Sequence, residues 1–125
     1  MKINKFTTDH YEIVCEWWKD YGWNSVPLES LPTTGLIVDG ICAGFLYKTD
    51  SNIAWLEFVV SNKKANKEEK QKALGLLIES LCEEAKKDKY SVIFTSCEHE
   101  GLIQKYLNNG FVKTDLNMTN LIRSL

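Results

Sequence analysis

The sequence predicts one mixed α/β domain over residues 1–125, with helices flanking a mixed β-sheet in the order β-α-βββ-α-β-α-ββ. A turn pair, Asp39-Gly40, separates two apolar runs of strand character. A long apolar stripe at helical spacing follows a capping residue, Asn66. Apolar strand-like segments lie on both sides of this helix, and a strand–helix–strand step usually places its strands parallel. The sheet should therefore combine antiparallel hairpins with one parallel junction.

The N-terminal third is predicted to hold one strand and one helix. Residues 2–6 read as a short strand. Thr8 or Asp9 resembles a helix N-cap, and apolar side chains then recur at helical spacing until Gly22, which is typical of a helix end. Residues 23–34 contain two prolines, which exclude a long helix there.

The middle of the chain is predicted to form a three-stranded meander. Its strands, which are rich in β-branched and aromatic residues, cover residues 36–38, 41–47 and 53–60. Asp39-Gly40 is a preferred type I′ hairpin pair, and residues 50–52 form the second turn.

The second half begins with the long helix, for which Asn66 is the predicted N-cap and Glu69 the reciprocal capping residue. Lysines near its end suit the helix dipole. The remaining predicted elements are a strand over 91–95, a helix over 99–108 ended by Asn109-Gly110, and strands over 111–112 and 118–122.

Composition and charge exclude several classes of protein. The net charge of -2 does not favour non-specific nucleic-acid binding. Apolar runs are far shorter than the roughly 20 residues that span a bilayer, and the N-terminus lacks a signal-peptide core. These features predict a cytoplasmic protein that binds neither nucleic acid nor membrane.

The four cysteines form no C-x-x-C pair, so no metal site is predicted. They are best explained as reduced, buried thiols. The alternative is a catalytic thiol at Cys97, where His99 is the one nearby group that could lower the thiol pKa.

Three segments, in this order, resemble segments of the GNAT N-acetyltransferases. Gly44-Phe45 resembles an early strand motif, residues 55–60 resemble the strand that runs into the cofactor loop, and residues 102–111 resemble a helix end in which Tyr106 precedes Gly110 by four positions. The order of elements matches that fold over nearly the whole chain. The small size also resembles compact GNAT-like proteins of bacteriophages.

The resemblance implies transfer of an acetyl group from acetyl-CoA to an amine, with the cosubstrate between two splayed strands, residues 53–60 and 91–96. It implies Glu57 as general base and Tyr106 as general acid. It also implies that the pantetheine arm pairs with the backbone of three residues: Phe58, Val59 and Val60. The alternatives are that Glu57 is the polar side of a half-exposed strand and that Tyr106 is an amphipathic core residue.

Aromatic residues near the first helix and the irregular segment are candidates for the acceptor site, because aromatic rings can hold an alkylammonium group. The candidates are Trp18, Trp23 and Tyr47, with Trp17 beside them. The alternative is that these rings fill the core, as expected for at least one of the adjacent Trp17 and Trp18. The two histidines, His10 and His99, are expected at the surface.

The stretch after the third meander strand departs from the GNAT pattern. That family holds pyrophosphate with a Q/R-x-x-G-x-G/A loop, and residues 60–74 contain no such loop. Four lysines could replace it: Lys63, Lys64, Lys67 and Lys70. Alternatively, Asn66 and Glu69 cap the helix themselves, and acetyl-CoA binds weakly or not at all.

Two functions of different classes therefore remain open. One is an N-acetyltransferase acting on a small-molecule or peptide amine. The other is a non-catalytic GNAT-fold protein that docks a protein partner through exposed tryptophans. A third option is a homo-oligomer in which residues 118–123 pair across an interface, and the sequence leaves monomer and homodimer open.

Overall fold

The computed structural model describes residues 1–125 and contains a five-stranded mixed sheet flanked by three helices. The strands lie in the order of the chain, and every pair is antiparallel except β4 and β5, which are parallel. This confirms the predicted fold class. The elements are β1 Ile3–Lys5, α1 Tyr11–Asp20, β2 Thr34–Val38, β3 Cys42–Tyr47, β4 Ile53–Ser61, α2 Lys67–Lys87, β5 Val92–Phe94 and α3 Glu100–Asn108.

The first helix starts later than predicted. A 3-10 turn over Thr8–His10 precedes α1, and Thr7 N donates a hydrogen bond to His10 Nδ1 at 2.9 Å. The prediction of an N-cap at Thr8 or Asp9 is therefore wrong, because the imidazole supplies the acceptor at this chain reversal. The helix ends as predicted, with Gly22 at φ 74°.

The β2–β3 hairpin forms where it was predicted, but its turn is of a different type. Ile41 N donates to the Val38 carbonyl at 2.9 Å, and Gly40 has φ 74°. Asp39 does not have positive φ, whereas a type I′ turn requires it at both central residues. The type I′ assignment is therefore wrong.

The long helix α2 is capped as the sequence predicts. Asn66 Oδ1 accepts hydrogen bonds from the backbone N–H groups of Glu68 at 2.9 Å and Glu69 at 3.1 Å. Glu69 returns no side-chain bond to Asn66, so the reciprocal half of the capping box is absent. The apolar stripe faces the sheet through buried residues: Ala73, Leu74, Leu77, Ile78, Leu81 and Ala85.

The hydrophobic core has one cluster on each face of the sheet. The larger cluster packs α2 and Tyr106 of α3 against the strands. The smaller one packs α1 against Phe45 and its neighbours, and here both Trp17 and Trp18 are buried with 2% exposure. The prediction that at least one of these two tryptophans is a core residue is confirmed.

The two predicted strands after α3 do not form. No residue after Asn108 belongs to a helix or strand, so the predictions over 111–112 and 118–122 are wrong. Both segments have a strand-forming composition, but a strand also needs a hydrogen-bonded neighbour. The last strand of the sheet, β5, pairs only with β4, so neither segment is paired. No helix is long and apolar enough to cross a bilayer.

Gly44 lets α2 approach the sheet, and we expect Gly44→Ala to destabilise the protein. A Cβ at this position would lie 2.9 Å from Val59 Cγ2 and 3.1 Å from Leu81 Cδ1. Such overpacking typically costs about 1–3 kcal/mol, which urea denaturation at equilibrium would measure.

Gly75→Ala is the matched control for this change. Gly75 lies inside α2, where an added Cβ meets nothing within 4 Å. Because alanine is the better helix former, this variant should gain up to about 1 kcal/mol. Equal effects of the two substitutions would contradict the packing explanation.

Candidate functional site

A gap opens in the sheet where β4 and β5 stop pairing. The two strands share only three register pairs, from Ile53↔Val92 to Trp55↔Phe94. The fourth strand then continues to Ser61 without a neighbour on that side. The backbone of residues 58–60 therefore lines an open groove, as the resemblance to the GNAT fold predicts.

A bulge in β4 accompanies this gap. The register with β3 shifts between the Phe45↔Glu57 and Ala43↔Val60 pairs, and Phe58 adopts φ 59°. A left-handed conformation at a bulky residue is strained and persists only where packing enforces it. Such strain is concentrated at functional sites. The local sequence does not predict the left-handed conformation of Phe58, since phenylalanine favours regular strands.

Glu57 bridges the gap between the diverging strands. Its Oε1 accepts a hydrogen bond of 2.9 Å from the backbone N–H of Ser96, which follows β5. Its Oε2 has no protein partner. Burial raises the pKa of this carboxyl, and the bond from Ser96 partly opposes the rise. The carboxylate is thus fixed through one oxygen and free to accept a proton at the other.

Tyr106 contributes a phenol on the α3 side. The residue is 4% exposed, and its oxygen accepts a weak hydrogen bond from Thr95 Oγ1 at 3.5 Å. Its own O–H has no acceptor in the protein. Burial raises the pKa of Tyr106, so the phenol stays protonated at neutral pH and remains available as a donor.

Glu57 and Tyr106 approach the gap from opposite faces of the sheet. Glu57 is directly paired with Phe45, so the two side chains share the face covered by α1. Tyr106 belongs to the cluster that α2 forms on the other face. A group held between the strands would therefore meet a carboxylate on one side and a phenol on the other.

Two cavities flank the gap. One, of about 280 Å³, is lined by Glu57, Glu98, Cys97 and Tyr106 among others and is here called the acidic cavity. The other, of about 250 Å³, lies toward the start of α2 and contains Lys63 and Lys70; it is here called the cationic cavity. No lysine or arginine lines the first, and no carboxylate lines the second.

The cavities meet at a small set of shared residues. Both are lined by Trp23, Val59, His99 and Leu102. A ligand with an anionic end and a reactive end could extend from one cavity to the other past Val59. The separation of charge would orient that ligand, because the anionic end is attracted to the lysines and repelled by the carboxylates.

The structure brings together most of the residues predicted for the site, but not all. Phe58 lines the acidic cavity, Val60 the cationic cavity, and Val59 both. Among the lysines, Lys63 and Lys70 line the cationic cavity, whereas Lys64 and Lys67 lie outside both cavities.

The aromatic candidates are divided in the same way. Trp18 is buried and contributes to the wall of the acidic cavity, while Trp23 is 42% exposed and borders both cavities. Tyr47 lies outside both, and its hydroxyl donates to the Ser30 carbonyl at 2.6 Å. The catalytic-thiol alternative gains no support, since burial raises the pKa of Cys97.

Two aromatic residues that the sequence does not predict at the site, Tyr21 and His99, join Trp23 at the wall of the cationic cavity. Tyr21 stacks on Trp23 with ring centroids 4.6 Å apart, and His99 meets both edge-on. Lys63 Nζ lies 5.4 Å from the Tyr21 ring centroid, and the Tyr21 hydroxyl bonds Ser61 Oγ at 2.8 Å. The one available signal was the spacing of two aromatic residues around the helix-ending Gly22.

The N-terminus of α2 offers few free donors to an anion. Asn66 occupies the N–H groups of Glu68 and Glu69, and Lys70 N already bonds the Asn66 carbonyl. The lysine side chains fit an anionic ligand, whereas the capped helix end does not supply the usual backbone cradle.

Comparison with known proteins identifies the fold. No protein-family model and no curated protein matches this sequence. Among solved structures, TTHA1254 from Thermus thermophilus has a TM-score of 0.74 at 11% identity, covering 100% of this chain and 99% of its own.

Two named enzymes are also similar. The aminoglycoside N-acetyltransferase AAC(6')-Iy, solved in complex with CoA, has a TM-score of 0.67 at 15% identity, over 98% of this chain and 100% of its own. Glucosamine-6-phosphate N-acetyltransferase from Arabidopsis thaliana has a TM-score of 0.64 at 12% identity, over 98% of both chains. The chain therefore has the GNAT fold, which confirms the resemblance at the level of architecture.

Proposed function

We propose that this GNAT-fold protein is an N-acetyltransferase that transfers an acetyl group from acetyl-CoA to a positively charged amine. The observation that supports the proposal most is the position of Glu57 and Tyr106 on opposite faces of one gap. Acyl transfer to an ammonium group needs a base to remove a proton and a donor to the leaving thiolate, and these two groups can fill the two roles.

The two cavities would bind ligand groups of opposite charge. Lys63 and Lys70 would hold the phosphate groups of acetyl-CoA, which supplies the acetyl group as a thioester. Glu57 and Glu98 would attract the ammonium form of the acceptor into the acidic cavity, where Trp23 adds an aromatic surface.

The proton transfers follow from the same contacts. Oε2 of Glu57 would take a proton from the ammonium, while Ser96 N holds Oε1 in place. The raised pKa of Glu57 makes it a better proton acceptor than an ordinary glutamate. The amine nitrogen would then attack the thioester carbonyl carbon and the C–S bond would break. The departing sulfur would take the second proton released by the nitrogen, while the O–H of Tyr106 donates a hydrogen bond to that sulfur.

The alternative is a GNAT-fold protein that binds a protein partner without catalysis. The capped start of α2 favours this alternative, because Asn66 leaves fewer N–H groups for a pyrophosphate. Thermal denaturation with acetyl-CoA separates the two functions. An enzyme should gain about 2.7 kcal/mol at a hundredfold excess of ligand over Kd, and no gain at millimolar acetyl-CoA would exclude acetyl transfer by this chain.

Charge reversal of two lysines tests the placement of the ligand. We expect Lys63→Glu with Lys70→Glu to raise the Kd for acetyl-CoA at least about tenfold, since both side chains line the cationic cavity. Isothermal titration calorimetry measures this directly.

Lys64→Glu with Lys67→Glu is the matched control, because it changes the net charge equally but alters residues outside both cavities. This pair should change the Kd far less. Equal weakening by the two double variants would assign the effect to the overall charge of the surface and remove the cationic cavity from the binding site.

A further inference from the structure

The acidic cavity carries negative charge that no cation of the chain balances. Glu57 and Glu98 line it, and Glu100 follows at the start of α3. Residues 90–104 contain no lysine or arginine, and both ion pairs of the chain lie elsewhere. Like charges repel one another, so the arrangement becomes more favourable when a cation enters.

The imidazole at the cavity does not supply the missing positive charge. His99 Nδ1 accepts a hydrogen bond from Leu102 N at 3.3 Å, so Nδ1 carries no proton and the ring is neutral. Burial raises the pKa of the Cys97 thiol on the same wall, and the charges of the three carboxylates raise that pKa further. The negative field therefore extends across the cavity, and such a field concentrates cations.

The carboxylates lie at two depths. Glu57 is half-buried, and Ser96 N donates to its Oε1 at 2.9 Å. Glu98 is exposed and follows Ser96 by two residues, which span at most roughly 7 Å of chain. A linear molecule could therefore place one ammonium group at Glu57 and the next near Glu98.

The walls of the cavity suit an aliphatic chain better than a sugar. Eight of its fourteen lining residues are apolar. Besides the Tyr106 hydroxyl, its uncharged amide and hydroxyl side chains are only three: Asn24, Thr95 and Ser96. A sugar would bury hydroxyls without partners, which is unfavourable. The volume of about 280 Å³ is also below the range of about 300–1,000 Å³ that is usual for drug-sized ligands.

A buried donor shows independently that the cavity is a ligand site. Tyr106 is 4% exposed and lines the cavity, and its O–H has no acceptor in the protein. Native structures pair nearly all of their buried donors, so an acceptor from a ligand is expected here. In the proposed reaction this acceptor is the sulfur of acetyl-CoA, and the amine approaches from the side of Glu57.

We propose that the acceptor is a linear aliphatic polyamine, with one ammonium group at Glu57 and the next near Glu98 and Glu100. This assignment rests on the proposed function and adds the chemical class of the acceptor. The nitrogen at Glu57 gives one proton to the carboxylate, forms the bond to the acetyl carbon and loses a second proton to the departing sulfur. The other ammonium group keeps its protons and stays beside the two outer carboxylates.

Putrescine and butylamine test the second ammonium group, because their carbon chains are equally long. Calorimetric titration of the protein measures binding, and thiol release from acetyl-CoA measures turnover. We expect putrescine to have the lower Kd and the higher kcat/KM by at least about fivefold, the factor that an exposed ion pair supplies at best. This exceeds the roughly twofold statistical advantage of two equivalent amino groups, and it should shrink between about 0.01 and about 1 M salt.

Glu98→Gln with Glu100→Gln should remove the advantage of putrescine beyond the statistical factor. Glu12→Gln with Glu16→Gln is the matched control, because it changes the net charge equally at exposed positions of α1 outside both cavities. This pair should keep the advantage.

The outcomes separate the acceptor class from the proposed function. Acetylation of both amines with equal kcat/KM would overturn the polyamine assignment and leave acetyl transfer in place. An advantage that survives Glu98→Gln with Glu100→Gln, or binding of neither amine, would also overturn the assignment. Preferred binding of putrescine without thiol release would instead support the polyamine site and remove the proposed acetyl transfer.

Discussion

Tyr106→Phe should lower kcat for acetyl transfer about 100-fold while leaving the fold intact. The substitution removes the one O–H donor of the α3 side that has no acceptor in the protein, and loss of a positioned acid typically costs at least this factor. The stability change should stay below about 1 kcal/mol, because the phenol oxygen has only a 3.5 Å contact to Thr95. Release of free thiol with a saturating amine measures the rate.

Tyr90→Phe is the matched control for the loss of a hydroxyl. Tyr90 donates to the Thr49 carbonyl at 2.6 Å, and the residue lines neither cavity. This variant should lose about 1 kcal/mol of stability and keep the rate. Equal kcat for Tyr106→Phe and the wild type would remove Tyr106 from the chemistry, with the fold unaffected.

The pH dependence of the acetyl-transfer rate shows whether the Tyr106 phenol acts as a hydrogen-bond donor in its protonated form or must be ionised before the reaction. Burial raises the pKa of Tyr106 above its ordinary value of 10, so the group keeps its proton throughout the neutral and mildly alkaline range. The rate should therefore show no fall due to Tyr106 below pH 10. Such a fall at pH 8–9, absent from Tyr106→Phe, would contradict the direction of the shift.

The sequence was sufficient for those parts of the fold that depend on local signals. The Asn66 cap and the apolar stripe behind it gave the start and the buried face of α2. The hairpin over β2 and β3 followed from a turn pair between two apolar runs. Each of these features depends on residues within a few positions of one another.

Features that depend on a distant partner were missed. The strained Phe58 lies beside Val59, whose side chain packs close to Gly44 of β3. The residue type at position 58 does not predict this packing or the strain. Residues 118–122 have the composition of a strand, but composition cannot say whether a partner strand is present.

The candidate site likewise combines residues that local motifs predict with residues whose position depends on the tertiary fold. The resemblance to short GNAT motifs predicts Glu57 and Tyr106, and both residues line the acidic cavity. The sequence does not distinguish among the four lysines, because which of them face the cavity depends on the path of the chain from the end of β4 into α2. Only Lys63 and Lys70 face it.

Glu57→Gln should lower kcat at least about 100-fold and change the pH dependence of the rate. A carboxylate must be ionised to act as a base, so the wild-type rate should rise with pH through the pKa of Glu57, which burial raises above 4.5. Glutamine cannot ionise, and the same limb should be absent from the variant. Glu98→Gln, in the same cavity, should raise KM for the amine and leave kcat nearly unchanged.

Glu57→Gln should lower the rate but raise the stability of the fold at neutral pH. Because burial raises the pKa of Glu57, the folded state binds this proton more tightly than the unfolded state. The resulting stability is present below about pH 4.5 and is lost as the pH rises through the raised value. Glutamine can still accept the bond from Ser96 N without a charge, so Glu57→Gln should be more stable than the wild type at pH 7 and equal to it near pH 4. Urea denaturation at both pH values measures the difference, and a variant less stable than the wild type at pH 7 would contradict the direction of the pKa shift.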